Sequence, residues 1–259
     1  MNKRKNFVIA SLLMGLGFWA TNWLASWSQS SVFWLNGLVL AFFSAIILYF
    51  LFHRQVSNPK DFLPIIVLPV FLSIGFSWFT PLLSPTFGWQ LIATAILIIS
   101  FYLVLLTENL FIFSKHYKAV PLYRTAFVTG FAFSLLICLL LLGALFSLEY
   151  YPWANAALVS LIYFLLFYHL FWSVVITESQ KANLWLYSLI PALISGQLAL
   201  ILSFWPLSAT LKAIYLVSWF YVFGGVFQSH LRERLFPKIL REYIFIGMAS
   251  LLALIFSSS

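Results

Sequence analysis

The groups in this chain with the most distinctive chemistry are a carboxylate and an imidazole set inside apolar segments. Glu108 occurs in Thr107-Glu108-Asn109, which interrupts an apolar run from Leu91 to Phe113, and His169 lies within another such run. Ionisable groups at membrane depth are costly, and they tend to be paired or functional. His169, Ser173 and Thr177 recur at four-residue spacing and share one helical face. Ser188, Pro191 and Ser195 follow one side of the next apolar segment. Pro191 has no amide hydrogen to give the carbonyl of Tyr187, so that carbonyl is expected to be available as an acceptor.

At 1.5 Å of rise per residue, Ser173 and Ser188 each lie roughly 8 Å inside the ends of their segments. One expectation is therefore a polar cavity shared by Glu108, His169, Ser173, Ser188 and Ser195, beside a kink at Pro191. The plainer expectation, preferred here, makes Glu108 a marker of the level where its helix leaves the lipid. Trp89 to Glu108 already spans enough residues to cross the hydrocarbon. On that view His169 makes a helix–helix hydrogen bond.

The elements that must position these groups follow from composition. Of 259 residues, 63% are hydrophobic and 8% charged, and the mean hydropathy is +1.02. Soluble domains carry about 25% charged residues. A water-soluble fold has too few polar groups here to cover its surface, so the chain reads as an all-α, polytopic integral membrane protein. Apolar windows place about nine spans, near 7–27, 33–52, 62–80, 89–112, 125–147, 155–177, 183–204, 209–229 and 239–257. Short connections make them antiparallel hairpins of a single transmembrane domain covering 1–259, with no soluble domain. The N-terminal basic triplet and apolar stretch read as an uncleaved first span rather than a leader.

All but one of the fourteen Lys and Arg residues then fall on the side of the N-terminus, Lys212 being the exception. The positive-inside rule makes that side cytoplasmic and puts the C-terminus outside, in what is expected to be the bacterial inner membrane. The opposite loops, SWSQSS, LLSPTFGW, LEYYPWAN and FWPLSA, are nearly uncharged and aromatic. The net charge of +8 is dispersed between spans, which excludes a nucleic-acid surface.

Two cytoplasmic segments, 109–124 and 229–242, have the apolar and basic pattern of interfacial helices. Arg232, Arg234, Lys238 and Arg241 would meet anionic lipid headgroups there. The single cysteine, Cys138, is expected to be a small core residue, and Ser11 with Gly15, Ala126 with Gly130, and Gly224-Gly225 suit close helix packing.

Phosphate-loop, zinc-protease and nucleophile-elbow motifs are missing, so no catalytic residue, metal or cofactor is predicted. The leading expectation is a non-catalytic subunit, scaffold or assembly factor, working with a membrane-protein partner or as a homo-oligomer. A permease for a small or lipophilic solute, using the region of Glu108 and His169, is the second. A membrane enzyme acting on lipid-linked substrates at the cytoplasmic face is the third, with Glu108, His169 and Glu178 as acid–base groups.

Overall fold

The computed structural model describes residues 3–27, 33–53, 55–56, 62–83, 86–116, 122–176, 183–232 and 236–258. The described residues form nine helices and no strand. They are α1 (Lys3–Trp27), α2 (Phe33–Phe52), α3 (Phe62–Leu83), α4 (Phe87–His116), α5 (Tyr123–Ser147), α6 (Pro152–Val175), α7 (Leu184–Phe204), α8 (Ala209–Leu231) and α9 (Pro237–Ser258). Eight of them, α2 to α9, contain stretches long and apolar enough to cross a membrane. An apolar solvent offers backbone groups no partners, so such sequences satisfy every N–H and C=O within the helix. Side-chain hydroxyls follow the same rule. Buried Ser44, Ser73 and Thr80 each donate to a carbonyl one turn earlier in their own helix.

The chain divides into two compact units, Met1–Phe133 and Ser134–Ser259, and α5 crosses the division. In the first unit α1 packs on α2, α2 on α3, α3 on α4, and α4 returns to α1. Phe18, Leu48, Phe52, Leu68, Leu97 and Phe101 fill the middle of this ring. Gly15 permits the α1–α4 approach, because a methyl there would meet Ile98 at 2.5 Å.

In the second unit α6, α7 and α8 pack on one another, and α9 lies along α8. Phe167 and Phe220 stack at 4.5 Å between centroids, Phe171 continues the stack at 5.5 Å, and Tyr163 meets Phe220 edge-on. The Tyr163 hydroxyl donates to the Leu216 carbonyl at 2.7 Å, fixing α6 against α8. Gly196 sets the spacing of α6 and α7, since a Cβ there would meet the Ala156 carbonyl at 2.9 Å and clash with Ser160.

The two segments expected to lie on the membrane surface are described in part. Residues 109–116 continue α4, 117–121 lie outside the described residues, and Tyr123 opens α5. Phe111 and Ile112 are buried, so this stretch packs against the first unit. Of 229–242, the first residues complete α8 and Pro237 opens α9, as expected of a proline in a helix's first turn.

Candidate functional site

Glu108 sits on α4 in the first unit with 0% exposure. The helix continues to His116, so Glu108 does not mark its end. Glu108 is interior to α4, because the residues after it stay helical and pack into the unit's interior. His169, Ser173, Ser188, Pro191 and Ser195 are all buried on α6 and α7 of the second unit. The His169 ring lies 6.2 Å from that of Trp172.

The three serines use their hydroxyl protons locally. Ser173 donates to Leu170, Ser188 to Leu184 and Ser195 to Pro191, each at 2.7 Å to the carbonyl oxygen. A hydroxyl whose proton goes to its own helix backbone has only its acceptor side left for a solute. None of the six residues lines either of the two cavities described next.

Of the basic cluster, Arg232 caps α8 through its backbone N–H, which donates to the Gln228 carbonyl. Lys238 and Arg241 are exposed one turn apart at the start of α9. Arg234 lies outside the described residues.

A polar cavity of about 500 Å³ occupies the opposite end of the second unit, where α5 and α7 end and α6 and α8 begin. Each element contributes for a local reason. Glu149 follows α5 with φ at 49°, the left-handed conformation that turns a chain out of a helix. Pro152 opens α6, and Asn155 sits in its first turn, 4% exposed. Ser208 caps α8, its hydroxyl oxygen accepting from the Leu211 amide. Lys212, one turn into α8, holds its Nζ 5.9 Å from the centre of the Phe146 ring.

Asn155 is oriented by its partners. Its Nδ2 donates to the Tyr150 carbonyl and to the Ser203 hydroxyl, both at 3.3 Å. Ser203 gives its own proton to the Ala199 carbonyl, and so accepts from Asn155. The Tyr150 carbonyl can only accept, which fixes the amide nitrogen on that side. Oδ1 is left with no donor among the described residues.

Reasoning on the sequence missed this site. The available signal was Lys212, the one basic residue that the expected threading left apart from the rest, together with Glu149 in a loop otherwise without charge. A second, apolar cavity of about 270 Å³ lies between α8 and α9, walled by Trp219 and Val222 on one side and Tyr243, Gly247 and Leu251 on the other.

Residues 14–257 match the family described as Protein of unknown function (DUF5656), and the chain belongs to that family. No curated protein and no solved structure matches it.

Proposed function

We propose that this family member is a non-catalytic membrane subunit, a helical scaffold that presents α9 to a transmembrane helix of a partner protein. The observation that carries the reading is the isolation of α9. Only 11% of Leu240–Ser257 is buried, against 39% or more of each of the other seven apolar helices. Its exposed face repeats Phe245, Ala249, Leu252 and Phe256 at helical spacing, with Phe245 and Phe256 exposed at 73% and 76%. Ala249 and Ala253, four apart and both exposed, let a second backbone come close between flanking aromatic residues. A lipid tail gains nothing from such a bulky–small–bulky relief, whereas a helix interlocks with it. The own-helix bonds of Ser173, Ser188 and Ser195 support packing roles rather than solute binding, which weakens the permease reading.

In the same proposal the protein crosses the bacterial inner membrane nine times, with its N-terminus in the cytoplasm. The support is the one-sided distribution of Lys and Arg. Arg232, Lys238 and Arg241 lie at the cytoplasmic level and contact anionic headgroups. The test is extraction from native membranes in mild detergent, followed by native mass measurement. A stoichiometric partner chain is expected with the unaltered protein and is lost on Ala249→Phe. A chain that travels alone under all mild conditions contradicts the proposal.

A further inference from the structure

We infer that the cavity between Asn155 and Lys212 binds a phosphoethanolamine group, a phosphate joined to a primary ammonium. The inference is independent of what docks on α9. The cavity has two poles of opposite charge. Lys212 provides the positive pole at the start of α8, and Ser208, which caps that helix, lines the cavity beside it. Glu149 provides the negative pole. The two side chains attract each other electrostatically without a close ion pair among the described residues, so each keeps hydrogen-bonding capacity for a ligand.

The third element is Asn155 Oδ1, a buried acceptor with no donor among the described residues, in a residue that lines the cavity. A buried acceptor left without a donor is destabilising, and a ligand N–H removes that cost. Two acceptors, Oδ1 and the Glu149 carboxylate, select a cation that carries hydrogens. A primary ammonium has three of them, while a quaternary ammonium has none and is better held by an aromatic cage. The positive pole suits a phosphate, whose several oxygens can take a lysine and a hydroxyl together.

A volume of about 500 Å³ exceeds the headgroup alone. Phe204, Trp205 and Leu207 supply apolar wall for the remainder. Two sources share this chemistry, the headgroup of phosphatidylethanolamine and the free phosphoethanolamine monoester.

The test uses the full-length protein in nanodiscs of phosphatidylcholine containing equal minor amounts of phosphatidylethanolamine and phosphatidylglycerol. Lipids retained on gentle release are counted by native mass spectrometry. A parallel calorimetric titration adds free phosphoethanolamine, phosphocholine or inorganic phosphate. The expected result is a preference of about ten-fold for the ethanolamine form, a ratio typical of a charge-assisted hydrogen bond gained or lost.

Lys212→Gln should abolish retention of both ethanolamine and glycerol phosphates. Glu149→Gln should abolish the discrimination between them. Glu149→Gly, which suits the same backbone conformation, should behave like Glu149→Gln and so exclude a folding effect. Preference in the titration alone identifies the free monoester as ligand, and preference in the nanodisc identifies the lipid. Equal retention of all three lipids with no selective titration overturns the inference, as does a preference that survives both Lys212→Gln and Glu149→Gln.

Discussion

The Tyr163 hydroxyl and the Leu216 carbonyl, 2.7 Å apart, form a hydrogen bond between α6 and α8 beside the rings of Phe167 and Phe220. The bond is buried, and its donor and acceptor belong to different helices. Tyr163→Phe keeps the ring contacts with Phe167 and Phe220 and removes only this bond. A loss of about 1 kcal/mol is expected, read as a lower unfolding midpoint in detergent. Tyr163→Ala also removes the ring and should cost about 3–5 kcal/mol.

Gly196 faces the Ala156 carbonyl and Ser160 across the α6–α7 contact. Gly196→Ala should therefore destabilise by about 1–3 kcal/mol, despite alanine's better helix propensity. Adding Ser160→Ala should restore part of the loss by removing one of the two obstacles. Thermal unfolding of the single and double variants measures this coupling.

Glu149 adopts a left-handed conformation that costs a non-glycine residue about 1–2 kcal/mol. Glu149→Gly should raise stability by about 1 kcal/mol even as it removes the carboxylate. A fall in stability would mean that the carboxylate holds the loop together more strongly than its backbone strains it.

Ser195 donates to the carbonyl of Pro191 in its own helix. Ser195→Ala should change stability by less than about 1 kcal/mol, since the bond it removes is local. It should also leave any partner complex intact. A change in solute uptake into vesicles by this variant would instead favour the permease reading.

The nine helices among the described residues were legible in the sequence because hydrocarbon permits few backbone solutions. Every helix end lies within four residues of the boundary expected from apolar windows. Pro237 opening α9 and the close contact at Gly15 were readable for equally local reasons. Glu108 was not. Its placement depends on Phe111 and Ile112 being drawn into the first unit, so that α4 runs past the acid. The apolar window already ran past Glu108 to 112, but a window does not report which side chains the packing buries. The Asn155 cavity was hidden for a different reason. Glu149, Asn155, Ser203 and Lys212 come from four separate elements, and only tertiary packing brings them together. The serines of α6 and α7 were found in the sequence, but their hydroxyl partners were not visible there. A serine within a helix can bond backward or across, and neighbouring packing decides which.

The threading of the chain can be checked with one added cysteine, because the native Cys138 is buried. Ser257→Cys should react with a membrane-impermeant maleimide on intact cells. Labelling only after permeabilisation would place the end of α9 on the cytoplasmic side and require an even number of spans.

The most direct test of the scaffold proposal places a photoreactive phenylalanine at Leu252 on the exposed face of α9. Leu161, an equally exposed residue of α6, serves as the control position. Illumination in native membranes should give a protein adduct of one discrete mass at position 252 and only lipid adducts at 161. Lipid adducts alone at both positions would show that α9 faces nothing but the bilayer, and would contradict the account.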